Sequence, residues 1–315
     1  MATSGGDAGI AALTATQAAA QQKALKYSRS REAEADRIGI LTLADAGMDP
    51  RAMAYMFERL SDLNRFAGQR MPEFLLTHPV SQTRISDSYN QTRQYEDVEF
   101  PSDLDYQLMR VRILMSDETS PEVSVKRMRD GLKSDDATIR MAYQYGLTLA
   151  LSRTARIDEA VEQLRPLIRE YPEKISFILA QAEIEMSAQR YENAIDLLQA
   201  KLALSPDNFP MSMQYADALL KANKVDEATQ VLERQVARRP NDADVWYLLA
   251  ETYGLANNIA GVHQARAEYF MLNGNLDQAV KHLNYALPLV EDNFQMIARI
   301  KQRLQDIHTL QKENL

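Results

Sequence analysis

The second half of the sequence repeats itself every 34 residues. Pro172, Pro206 and Pro240 share that spacing, as do Ala160, Ala194 and Ala228 inside "IDEAVEQL", "YENAIDLL" and "VDEATQVL". Arg156, Arg190, Lys224 and Asn258 mark short polar turns at the same interval. Two independent residue types locked to one period, on helical patterns, predict a unit of helix, turn, helix, turn. Such a unit cannot bury its apolar face alone and must stack on its neighbours. Small residues let paired helices approach closely, and each proline ends a helix by removing a backbone donor. The expected fold class is all-α, with a solenoid over residues 104–315.

The repeat resembles the tetratricopeptide repeat. In its fourth copy, "VWYLLAETY" supplies Trp246, Leu249, Ala250 and Tyr253 in that family's order of aromatic, Leu, small, aromatic. After this copy the register jumps: Ala279 in "LDQAVKHL" lies 51 residues beyond Ala228, one and a half periods. One helix near 259–273 is therefore expected to be shared between units. Ile297, Ile300, Leu304 and Ile307 then predict a capping helix from Asn293 to about Lys312. Residues 102–140 fit the period poorly and read as a degenerate first unit.

Within the repeats, Glu183, Asp217, Glu251 and Glu268 each directly follow a small residue at matching positions. Tyr145 and Tyr247 stand four residues earlier in their own units. These six residues form a candidate partner-binding groove, an acidic stripe with aromatic anchors for a peptide or protein loop. A merely solvated face is an equal alternative.

Charge and composition narrow the partners. A net charge of -8 argues against nucleic acid and anionic lipid, both of which demand a basic surface. With no cysteine, disulfides and thiolate metal sites are excluded, while cytoplasm and periplasm both stay open. No run of about 18 apolar residues occurs, so no membrane span is expected. The Ala-rich opening stretch lacks a basic region and is a poor signal peptide.

Residues 1–93 form a different module, set off by the linker "QYEDVEFPSD" at 94–103. A first helix is expected from about Gln17 to Ala46, stopped by Gly47. Asp49 then caps a second helix with Pro50 in its first turn. Met53, Met56, Phe57, Leu60 and Leu63 form a stripe that reads as a core face, not as copper ligands. On the first helix, "SRSREAEADRIG" places Glu32 and Asp36 one turn apart, on one side, with Glu34 facing away. Like charges at that spacing cost about 0.2–0.5 kcal/mol unless water screens them or a cation sits between them.

This segment, followed by "THPVSQTRI", resembles the ExxxD and HPxxxxR motifs of a family of zinc metallopeptidases that includes the CAAX prenyl proteases. The resemblance implies a gluzincin-type fold. It makes Glu32 a zinc ligand and Asp36 a residue that orients a ligating histidine. His78 becomes a loop residue near the metal, able to fill its open position or approach the substrate. Pro79 keeps His78 extended, just before the helix that carries Arg84. Arg84 is expected to neutralise Asp36 or to steady the transition-state oxyanion. The order of ExxxD, HPxxxxR and tetratricopeptide repeats matches a periplasmic subgroup of envelope quality control. For that subgroup the resemblance implies protein or peptide substrates, zinc-activated water attacking a peptide carbonyl, and docking to the outer-membrane assembly machinery.

One departure is large. The four histidines are His78, His263, His282 and His308, and none belongs to an HExxH. A catalytic zinc needs three protein ligands and a Glu as general base, and Glu32 with His78 supplies two ligands. The chain is therefore expected to bind zinc weakly and not to cut peptide bonds by itself. The simplest expectation is the C-terminal part of a longer peptidase. The alternatives are a non-catalytic adaptor that keeps Glu32, Asp36 and His78 as relics, and a repeat protein unrelated to proteolysis.

Overall fold

The computed structural model describes residues 29–66, 78–95, 102–116, 118 and 120–313. Residues 17–28 of the expected first helix and residues 96–101 of the expected linker lie outside them. Every regular element among the described residues is helical. The chain divides into two compact units, Met1–Pro101 and Ser102–Leu315.

In the first unit, α1 spans 29–45, α2 Ala52–Phe66 and α3 Gln82–Thr92. Gly47 ends α1 in the left-handed region at φ +69°, and the Met48 N–H bonds back to the Leu43 carbonyl at 2.9 Å. Asp49 caps the next turn by accepting from the Arg51 N–H at 2.9 Å. The face of α2 is narrower than the sequence stripe: Ala54 and Phe57 are buried, but Met56 and Leu63 are exposed at the stripe's edge. With Phe57 inside, residues one position earlier and six later rotate toward solvent. Helices α2 and α3 pack together, with Tyr55 edge-on to Tyr89 at 6.2 Å.

The second unit begins with α4 (Leu104–Ser116) and α5 (Pro121–Gly131), both packed on α6 (Ala137–Arg153). Four helical hairpins follow: α6 with α7 (Ile157–Glu170), α8 (Ile175–Ser187) with α9 (Tyr191–Leu204), α10 (Phe209–Lys221) with α11 (Val225–Arg238), and α12 (Ala243–Leu255) with α13 (Ile259–Leu272). Helix α13 packs against α12 and equally against α14 (Leu276–Ala286), so one helix is shared where the register jumps. A 3-10 turn, Leu287–Leu289, leads to the cap α15 (Phe294–Glu313).

The period reaches the backbone. Ala155, Gln189, Asn223 and Asn257 all have φ between 55° and 60°, at intervals of 34 residues. Each sits where one helix of a hairpin ends, and the next residue's N–H closes a six-residue ring, as in Arg190 to the Glu185 carbonyl at 2.8 Å. Ala160, Ala194 and Ala228 are fully buried, as the close approach of paired helices requires.

Candidate functional site

The first unit gathers residues that lie almost fifty positions apart. Glu32 and Asp36 come from α1, His78 and Pro79 from the extended segment before α3, and Arg84 from the first turn of α3. Pro79 disfavours the helical region for His78, and Ser81 then caps α3 by accepting from the Arg84 N–H at 3.3 Å. That cap fixes where the Arg84 side chain starts.

Arg84 grips Asp36 with two parallel hydrogen bonds, Nε to Oδ2 at 2.8 Å and Nη2 to Oδ1 at 2.7 Å. Its third nitrogen, Nη1, lies 3.1 Å from Glu32 Oε2 and donates to the Pro79 carbonyl at 3.2 Å. The guanidinium stacks 4.6 Å from the Phe57 ring centre. Hydrogen bonding to Asp36 pushes the Arg84 pKa still higher against the opposing effect of burial, so the cation is permanent. Asp36 is buried, as an aspartate can be when a fork of this geometry satisfies both oxygens. The Nδ1 of His78 touches Glu32 Oε1, and 62% of the His78 side chain is exposed. The cation between the two carboxylates is therefore an arginine, and Glu34 faces solvent.

Glu32, Asp36, His78 and Arg84 thus meet in one cluster. Phe57 and the Pro79 carbonyl belong to it too; the sequence marked Phe57 for the core and Pro79 for the backbone at His78, but their contacts with Arg84 appear only in the fold. Zinc does not fit the described residues as a catalytic ion. Glu32 and His78 are the adjacent donors, Asp36 is committed to Arg84, and among the described residues no group of three potential ligands converges. What the cluster can do is hold a carboxylate and an exposed imidazole against each other on a rigid arginine support.

The six repeat residues fare unevenly. Tyr145 is fully buried in the α6 core against Phe177 at 5.7 Å, so it is not a surface anchor. Burial pushes its hydroxyl pKa up, and that hydroxyl accepts from Arg112 at 2.5 Å. Neighbouring α4 covers the face that an isolated period would leave open. Tyr247 stays about half exposed beside Tyr269. The four acids do not form a bare anionic stripe. Glu183 lies 3.6 Å from Arg153 and 3.9 Å from Arg112, Asp217 bonds Lys221 at 2.7 Å, Glu251 lies 3.1 Å from Arg266, and Glu268 takes both arms of Arg303 at 2.8 and 2.5 Å. Their five cations come from five different helices, so no periodic signal announced them. Glu183 and Asp217 nonetheless share a cleft of about 560 Å³, which Arg112, Leu179, Met186, Met213 and Lys221 also line.

Comparison with known proteins agrees with both halves of this picture. Residues 1–90 match peptidase family M48, and residues 185–252 match the tetratricopeptide repeat. The β-barrel assembly-enhancing protease of Escherichia coli K12 is 31% identical over 305 residues, covering 97% of this chain and 62% of that protein. A Vibrio cholerae serotype O1 protein named after it is 35% identical over 286 residues, 90% of this chain and 59% of its own length. The chain spans about three fifths of the length of these curated relatives. Human mitochondrial metalloendopeptidase OMA1 is 43% identical over 60 residues, 19% of this chain and 12% of that protein. Among solved structures, MamA from Desulfovibrio magneticus RS-1 is 20% identical and aligns with 54% of this chain and 96% of its own, at a TM-score of 0.38. Residues 1–90 are thus similar to a segment of peptidase family M48, a metallopeptidase family that in general implies zinc, and they precede an array of tetratricopeptide-like hairpins.

Proposed function

We propose that the first unit is the ExxxD and HPxxxxR part of a zinc metalloendopeptidase of envelope quality control, and that the repeats dock protein substrates or the outer-membrane assembly machinery in the periplasm. One observation carries the reading. Glu32, Asp36, His78 and Arg84, the four residues singled out by two separate motifs, come into direct contact across 46 to 48 residues of chain. Glu32 is the metal donor in this reading and His78 an exposed partner beside it. Arg84 fixes Glu32 and Asp36 on α1 and the Pro79 carbonyl next to His78. No catalytic step is assigned to the chain by itself, since its sequence holds no HExxH. For the repeats, the cleft over α4, α8 and α10 is the docking surface that keeps Glu183 and Asp217. Its mixed charge and apolar lining suit an extended peptide. No helix among the described residues is long and apolar enough to cross a membrane.

Calorimetric titration of the 315-residue chain with zinc tests the first part. Binding weaker than micromolar is expected, and stoichiometric nanomolar binding that Glu32→Gln abolishes would show the site to be complete. When an HExxH helix is supplied ahead of residue 1, Glu32→Ala is expected to abolish zinc-dependent peptide cleavage. Retained cleavage would end the metallopeptidase reading.

A further inference from the structure

The interface between α13 and α14 holds a histidine pair that neither motif nor family match uses. His263 on α13 and His282 on α14 bring their Nδ1 atoms to 3.0 Å. At that distance two imidazoles make an N–H···N hydrogen bond, which needs one nitrogen protonated and the other bare. Rings pack around the pair. Phe270 stacks on His282 at 5.3 Å and 25°, and the Tyr285 ring lies 5.4 Å from His263 and 6.1 Å from His282.

We propose that His263 and His282 form a proton-operated latch that holds α13 to α14 at neutral pH and lets go as both rings become charged. Two imidazolium ions have no acceptor nitrogen to share, and they would repel at contact distance. The surroundings add to that repulsion. Arg266 on α13 and Lys281 on α14 are the cations nearest the pair, with Lys281 5.8 Å from the Tyr285 ring centre. From α12 comes Glu251, already tied to Arg266, and from α15 comes Arg303, already tied to Glu268. The 3-10 turn, Leu287–Leu289, packs on both helices and carries no ionisable side chain. Burial and the neighbouring cations hold both histidines below their ordinary value of 6.5. A lowered folded-state value means that the open state binds protons first. The latch is therefore intact above about pH 6.5 and weakens as pH falls below it.

Release would free α14 and, with it, the capping helix α15 that packs on α14. Hydrogen exchange on the full chain at pH 7.5 and 5.0, corrected for intrinsic rates, reads this directly, with α8 and α9 as the internal reference. Protection in α14 and α15 is expected to fall about tenfold relative to the reference as the shared hydrogen bond is lost. His282→Phe keeps a ring on Phe270 and removes the shared proton, so its α14 and α15 should lose less than half of that pH response. Should this variant fail to fold, imidazole NMR of the unmodified protein decides. Titration of both rings below 6.5 supports the latch, and independent titration at or above 6.5 overturns it. Zinc that stabilises the wild type at pH 7 but not His282→Phe would also overturn it, by making the pair a metal staple.

Discussion

Arg84 is the residue on which the first unit turns. It satisfies both oxygens of a buried aspartate, approaches Glu32, and bonds the carbonyl next to His78, so it ties α1 to the segment that carries the histidine. Removing one partner from such a pair leaves an uncompensated charge, which costs more than the intact pair contributes. Arg84→Ala is expected to destabilise the first unit by about 3 kcal/mol in urea unfolding. Asp36→Ala should cost less, because Glu32 and the Pro79 carbonyl still engage the freed guanidinium. A smaller loss for Arg84→Ala than for Asp36→Ala would contradict this hierarchy. The motif spacing pointed to these residues, but a spacing within one helix cannot show which cation sits between two carboxylates.

At the level of the helices, the 34-residue period is legible because it is a local property repeated. Small residues permit close pairing, prolines stop helices, and each hairpin turn needs one left-handed residue. Two of those four positions are Asn, which tolerates this conformation, while Ala155 and Gln189 bear the strain of a Cβ there. Gln189→Gly is expected to stabilise the array by about 0.5–1 kcal/mol, read as a higher midpoint in thermal unfolding. Gly146 presents the opposite case. A Cβ on it would lie 2.3 Å from Val111 Cγ1 and 2.4 Å from Met128 Sδ, so Gly146→Ala should cost about 1–3 kcal/mol by overpacking the α4, α5 and α6 junction. That junction is also why Tyr145 is core and not groove. The same residue type at a related position, Tyr247, is half exposed beside Tyr269.

Across the whole chain, the repeat array is held by neighbour-to-neighbour burial, so its end depends on its cap. Ile300 and Ile307 of α15 are buried with Ala267, Ala279 and Leu283 in one cluster. Ending the chain at Asn293 should expose that cluster, seen as increased binding of a hydrophobic dye and a lowered first thermal transition. Titration adds a second expectation. Because burial and neighbouring cations lower the values of His263 and His282, stability is expected to fall as pH drops below about 6.5, measurable as a pH-dependent denaturation midpoint.

By itself the sequence determined the helical hairpins, their period, the shared helix and the cap, and it singled out Glu32, Asp36, His78 and Arg84 as candidates. These rest on spacing along one chain, which helix geometry converts directly into faces and turns. Only the tertiary structure decided that Arg84 reaches both carboxylates, that His78 touches Glu32, that Tyr145 is enclosed, and that the repeated acids each meet a cation. It also brought His263 and His282 together. Those contacts join residues on separate elements, and no local period encodes which side chains packing will place within a hydrogen bond of one another.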